Sequence, residues 1–309
     1  MKEIRIRRWR GMNKKIIKQL PLHMMLLPGI VLLLLFSYVP MVGIVIAFQQ
    51  FIPTHGLFGS EWIGWDNFRY AFELPDFRLV MRNTLFISSM KIVAGTIAAL
   101  ITALLLNEIG RMWFKRGIQT LIYLPHFLSW VILGGILIDI LSPSNGIIGQ
   151  ILSSFGLEPV FFLGSNSWFP YVIVISDVWK EFGFSTIVYL AAMTSINPTL
   201  YEAARMDGAN RWRQTWHITL PGMRPIIILL ATLSLGNVLN AGFDQIFNLY
   251  SPAVYESGDI IDTMVYRMGL VDFQYGLATA IGLFKSVISF FLISTSYWLA
   301  YRFANYRIF

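Results

Sequence analysis

Seven ionisable side chains, Lys91, Asp139, Asp177, Lys180, Glu181, Asp244 and Lys285, stand within or at the edges of long apolar runs. A charge at the centre of a lipid-spanning helix costs about 2.5–3.5 kcal/mol on insertion scales, so each asks for a partner or a function. Asp177, Lys180 and Glu181 are spaced i, i+3, i+4 and share one helical face. Trp179 lies near that face, and Asn237, Asn240 and Asp244 occupy the corresponding end of a later run. Two chemistries fit these residue types. Aromatic rings beside hydrogen-bonding groups around a water-filled path suit the faces and hydroxyls of sugars, with Lys180 or Lys285 suited to a uronic-acid carboxylate. A carboxylate–ammonium relay would instead serve an ion-coupled secondary transporter or an integral membrane enzyme. A structural role stays open for all of them, and interhelix ion pairing is the preferred reading for Lys91 and Asp139, which lie near a span boundary.

Other chemistry finds no support in the sequence. His23, His55, His126 and His217 lack metal-ligand spacing, and there is no H-E-x-x-H, no G-x-S-x-G elbow and no P-loop. No catalytic residue and no metal ligand is therefore assigned. The absence of cysteine excludes disulfide and thiolate-metal modules.

The elements that must hold these side chains are membrane helices. Hydrophobic residues make up 56% of the 309, charged residues only 13% where soluble domains carry about 25%, and the mean hydropathy is +0.60. Six runs are long enough to cross about 30 Å of hydrocarbon, at approximately 22–48, 84–106, 118–141, 171–195, 225–247 and 276–301. Their uniform apolarity excludes barrel strands, so the expected class is an all-α membrane protein with six transmembrane helices. Basic residues orient it. Lys2, Arg5, Arg7, Arg8, Arg10, Lys14, Lys15 and Lys18 precede the first run, and further clusters fall in the 2–3 gap, the 4–5 gap and the tail. The opposite side holds only Arg69, Arg78, Arg82 and Arg267, which predicts cytoplasmic N- and C-termini.

The net charge of +7 follows from this distribution and does not imply nucleic acid. Residues 1–21 form a basic arm suited to anionic membrane lipid, with specific docking as the alternative. The run from Leu22 is too long for a signal peptide and lacks an evident A-x-A site, so 22–48 is expected to remain as the first transmembrane helix. No repeat or low-complexity tract divides the chain. Aromatic outer segments such as Trp62-Ile-Gly-Trp65 and Val160-Phe161-Phe162-Leu163 fit either an interfacial belt or a receptor-docking surface.

The cytoplasmic gap 196–224 is the most informative stretch. Asn197-Pro198 supplies a helix start, with a Thr199 to Glu202 capping box as the alternative. Gly208 permits a sharp turn, and Arg211 to Ile218 can form a second short helix before Pro221 and Pro225 begin span five. Such a loop presents Leu200, Tyr201, Ala203, Ala204, Trp212 and Trp216. Either it is a rigid knob for a partner's groove, or Glu202 merely caps a helix while the Trp residues sit at headgroup level.

Glu202-Ala203-Ala204, three residues, Gly208, nine residues, Ile218, one residue and Leu220-Pro221 resemble the EAA motif of permease subunits in binding-protein-dependent ABC importers. Every fixed position is matched at the family's spacing. The resemblance covers about 84–303 and implies a type I importer permease fold with its core at 80–303. The added first span, Trp179-Lys180 and Leu190-Ala191-Ala192 resemble the carbohydrate-uptake branch, particularly permeases served by oligosaccharide-binding lipoproteins. Some of those relatives carry pectin-derived oligosaccharides. The resemblance implies that 198–217 forms coupling helices seated on an ATPase. Glu202 would pair with a basic residue there, Ala203, Ala204, Arg205 and Ile218 would belong to the same coupling surface, Gly208 would turn the chain between the helices, and Leu220-Pro221 would set the return into span five. It further implies a second permease, non-identical to this one, a pair of ATPase subunits and an extracellular solute-binding lipoprotein. ATP and Mg would be bound by the ATPase partner and no cofactor by this chain, in a bacterial cytoplasmic membrane crossed several times.

Overall fold

The computed structural model describes residues 19–304. Most of the basic arm and the last five residues lie outside the described residues. Among the described residues the regular structure is helical apart from one antiparallel ribbon, β1 (Gln49–Gln50) against β2 (Glu61–Trp62).

Helix α1 (Gln19–Phe48) changes its winding on the way, from α through a π turn at Leu34–Tyr38 to a 3-10 stretch at Val39–Phe48. Pro40, which has no N–H and cannot continue the α ladder, stands at that second change. Phe48 ends the helix stacked on Trp62 at 5.6 Å and edge-on to Trp65 at 5.3 Å, tying it to the ribbon and to α2 (Asp66–Glu73). Helix α3 (Pro75–Glu108) starts at Pro75, where the missing N–H costs nothing. Its 34 residues make about 51 Å of helix, more than the hydrocarbon requires.

The third apolar run departs from the expected single helix over 118–141. It consists of α4 (Met112–Tyr123), a 3-10 turn at Leu124–Phe127 and α5 (Trp130–Leu141), with a bend of 102°. Pro125 interrupts the first half, and Ser129 caps the second by accepting the Ile132 N–H at 3.3 Å. After α6 (Ile147–Ser154), α7 (Phe169–Thr194) has the length of a span and carries Asp177, Lys180 and Glu181 in its middle.

The loop to the next span contains α8 (Pro198–Met206) and α9 (Arg211–Gln214). Unlike the separate short helix expected, α9 runs without interruption through a π turn into α10 (Leu220–Gly236), with Pro221 near the N-terminus of α10 and Pro225 inside it. The expected span 225–247 is itself broken after Gly236. Residues 237–242 leave the helix and Gly242 adopts φ +93°, a left-handed conformation that favours glycine, before α11 (Phe243–Leu249). Helices α12 (Ile261–Tyr266) and α13 (Tyr275–Ala304) complete the described chain. Among the described residues, α1, α3, the α9–α10 unit and Tyr275–Arg302 are long and apolar enough to cross a membrane, with the bent α4–α5 pair as a fifth candidate.

Three apolar clusters hold the helices together. Ile87, Phe169, Ile173 and Ile246 join α3, α7 and α11, while Val80, Leu239, Ile261 and Ile281 bring in α12 and α13. The third surrounds fully buried Ala99 and Ala103 of α3, where Thr186 of α7 donates to the Ala99 carbonyl at 3.2 Å. Small side chains let the two backbones come this close. Tyr201 of α8 and Ile218 pack on the same cluster, so the loop is joined to the spans through apolar contact.

Candidate functional site

The loop is built from its caps. The Asn197 side chain accepts the Thr199 N–H at 3.0 Å, so Asn197 and not a Thr199–Glu202 box starts α8. Gly208 takes φ +74°, the turn that permits reversal, and Asn210 caps α9 by accepting the Arg213 N–H at 2.9 Å. The Tyr201 hydroxyl meets Thr219 Oγ1 at 3.0 Å across the hairpin. Leu200, Glu202, Ala203, Arg205, Met206 and Trp212 face outward from this frame. Glu202 and Arg205 form no ion pair among the described residues. They border a polar notch of about 470 Å³ with Glu108, Tyr201 and Arg211, where Arg211 pairs with Glu108 at 2.5 Å.

The second site lies where α3, α7 and the break in the fifth run meet. Lys91 is 9% exposed, and its ammonium reaches Asp177 Oδ1 at 3.1 Å, the Ala241 carbonyl at 2.7 Å and Gln245 Oε1. Fully buried Gln245 turns its amide to the Ile173 carbonyl and Ser176 Oγ, both at 2.8 Å. Every donor of the lysine is thereby met, as burial requires. Beside it opens a cavity of about 240 Å³ lined by Ser88, Lys91, Asp177, Ser234, Asn237 and Asn240. The two asparagines are exposed, so carboxylate and amide groups face one small opening.

Comparison with known proteins gives the family. A family model described as the inner membrane component of binding-protein-dependent transport systems matches residues 91–305. The chain belongs to this family. The polygalacturonan/rhamnogalacturonan transport system permease protein YteP of Bacillus subtilis (strain 168) is 42% identical over 295 residues, 96% of this chain and 92% of its own. A crystal structure of a bacterial ABC transporter involved in the import of the acidic polysaccharide alginate contains a chain of the same fold. It is 40% identical with TM-score 0.88, covering 95% of this chain and 99% of that one. A second crystal structure, of the alginate transporter in complex with alginate pentasaccharide-bound periplasmic protein, matches with TM-score 0.86 and 40% identity over 94% and 97%.

The fold is that of a type I ABC importer permease, and the chain is the permease of a sugar importer without an ATPase site of its own. The ion-coupled carrier and membrane-enzyme alternatives are set aside. Of the residues singled out in sequence, this permease brings Asp177, Asn237 and Asn240 together and adds Lys91 to them. Lys180 and Glu181 engage the bend of the third run instead. Half-exposed Trp179 lines no part of the 240 Å³ cavity, and Asp244 opens α11 without an ion pair among the described residues. Lys285 pairs with Asp262 of α12 at 2.5 Å. Asp139 is exposed and, among the described residues, is not ion-paired.

Several polar groups of the interior were not singled out beforehand. Gln245 is neutral, so a search for charges passes over it, although an amide in an apolar run is itself a signal. Asp259 and Arg267 form a bidentate pair at 2.6 and 3.2 Å in the segment between α11 and α13, with Thr263 donating to Asp259 at 2.7 Å. Burial alone would lower the Arg267 guanidinium, but its hydrogen bonds and the Asp259 charge raise it above the usual range. That segment has neither long apolar runs nor a motif, which is why sequence reading missed the pair.

Proposed function

We propose that this permease crosses the bacterial plasma membrane six times with both termini in the cytoplasm, and that it moves acidic oligosaccharides of the pectin or alginate type. It would work beside a second, non-identical permease, on two ATPase subunits that bind ATP and Mg, and under an extracellular solute-binding lipoprotein. The observation that carries this reading is the capped, outward-facing loop, whose Glu202 and Arg205 form no ion pair among the described residues while Tyr201 and Ile218 root it in the α3–α7 core. Approach of the ATPases would push the loop, and the shared core would pass the motion to α3, α7 and α10. The spans would then exchange inward-open and outward-open arrangements.

The substrate path is assigned to the cavity beside Lys91. Asp177 can accept sugar hydroxyls there, and the Asn237 and Asn240 amides can donate as well as accept. Lys180 and Lys285 are already held by carboxylates, so a uronate would have to displace Glu181 or Asp262 to reach them. The substrate class rests on the relatives, whose names specify polygalacturonan, rhamnogalacturonan and alginate.

The test is purification of the tagged chain from its native membrane with whatever accompanies it, followed by uptake of oligogalacturonate and alginate oligosaccharides in vesicles. Recovery of an ATPase, a second permease and a lipoprotein is expected. Uptake should stop on ATP depletion and survive an uncoupler under clamped ATP. Uptake that persists without ATP would overturn the reading.

A further inference from the structure

We infer that Lys180, Glu181 and His126 form a clasp that holds the 102° bend between α4 and α5, making them positioning residues for the outer half of the transport path. A broken helix leaves backbone carbonyls without ladder partners, and in an apolar surrounding each needs a donor. The His126 carbonyl, in the 3-10 turn at the break, accepts from Lys180 Nζ at 2.9 Å. Glu181 bridges the remaining gap, taking Lys180 Nζ at 3.0 Å on one oxygen and meeting His126 Nδ1 at 2.7 Å with the other. The imidazole is stacked on Phe184 at 4.1 Å with an interplanar angle of 5°, and the Lys180 ammonium lies 5.7 Å from the ring of Trp130, at the start of α5. One side-chain cluster on α7 therefore grips both sides of the bend.

The backbone is pressed into the same arrangement. Gly183 lies so close to the Ile122 carbonyl of α4 that a Cβ there would collide with it. Beyond the bend, Gly134 of α5 rests against Asn248 of α11, the helix that follows the break carrying Ala241 and Gly242. The direction of α5 thus sets where α11 sits, and α11 carries Gln245, which holds Lys91 at the cavity. On this account the charges in the middle of α7 divide by task, with Asp177 facing the cavity and Lys180 and Glu181 fixing the frame. The inference concerns geometry alone and does not depend on which sugar is carried.

The chain has no cysteine, so Gly117→Cys and Gly135→Cys, both exposed glycines with open space around a Cβ, supply a label pair unique within it across the bend. In the complete transporter reconstituted in lipid nanodiscs, the spin-label distance should form one narrow distribution. Lys180→Ala and Glu181→Ala should broaden it, Lys180→Arg should restore it, and the maximal uptake rate should fall without a matching rise in KM. If an alanine variant fails to assemble, His126→Phe decides, since it keeps the stack on Phe184 while removing the Glu181 partner. Broadening in that variant supports the clasp. An unchanged distribution in these variants would overturn it, and a raised KM for oligosaccharide alongside would return Lys180 and Glu181 to the substrate path.

Discussion

In the loop between α7 and α10, Glu202 and Arg205 stand exposed and unpaired among the described residues, whereas Lys91, Asp177, Lys180 and Glu181 in α3 and α7 are each matched within the chain. The solvents explain the difference. Water solvates an unmatched charge, so the loop can hold side chains in reserve for a partner protein. Lipid and packed protein cannot, so an interior charge must find its counterpart at home, and only the oxygens left over can meet a substrate. On the proposed function, the exposed and unpaired Glu202 and Arg205 are the side chains the loop offers to an ATPase. In the interior, the useful mark is a satisfied network with a cavity at its edge.

The largest effect should come from Lys91→Ala. It leaves Asp177 without its cation and the Ala241 carbonyl without its donor, and breaking a buried pair costs about 3–5 kcal/mol. A thermal-unfolding assay of the purified complex should show a clearly lowered Tm. Adding Asp177→Asn to Lys91→Met should recover part of the loss, because the orphaned charge is gone. Unchanged stability of Lys91→Ala would mean that the interior network does not hold α3, α7 and the break in the fifth run together.

Gly208→Val sharpens the other side of the comparison. No atom lies within 4 Å of a Cβ at Gly208, so the penalty comes from the backbone alone, about 1–2 kcal/mol for a left-handed residue. Membrane insertion should survive while receptor-stimulated ATP hydrolysis and uptake are lost. Retention of both would remove the coupling role from the turn. Glu202→Ala should lower uptake by about tenfold, within the 5- to 150-fold range of typical coupling energies. Stability should change by no more than about 0.5 kcal/mol, since the side chain is exposed. A stability loss as large as that of Lys91→Ala would mean that Glu202 belongs to the fold and not to a partner. The smallest effect is expected for Glu108→Ala, which removes an ion pair with Arg211 that is 43% and 76% exposed on its two sides. Such a pair contributes about 0–1 kcal/mol, and whatever difference is measured should shrink in high salt.

The loop was legible because its information is local. Asn197 before Pro198 and Gly208 beyond the end of that helix are a cap and a turn that act over a few residues, and the structure uses both, while the Asn210 cap of α9 came only with the structure. The apolar runs were legible for the same reason, since length and hydropathy suffice to identify a helix that lipid would accept. Where those runs break was harder to read. Pro125 sits inside one run and signals an interruption, but nothing adjacent to it in sequence states that the chain turns by 102° or that Lys180 stands ready for the freed carbonyl. The second break has no proline at its centre, and it persists because Lys91, some 150 positions earlier, binds the Ala241 carbonyl.

The sequence by itself determined that the chain is a helical membrane protein, that Gly208 permits its loop a sharp turn, and that Glu202 belongs to a motif at a recognisable spacing. Each of these depends on residues close together in the chain or on average composition. Tertiary structure decided which charge meets which. Lys91 pairs with Asp177 and not with Asp139, Lys285 goes to Asp262, and Lys180 and Glu181 turn to the bend while Asp177 turns to the cavity. The physical reason is that an ion pair acts over a few ångströms of space and is indifferent to distance along the chain, so its partners are fixed only when the helices have packed.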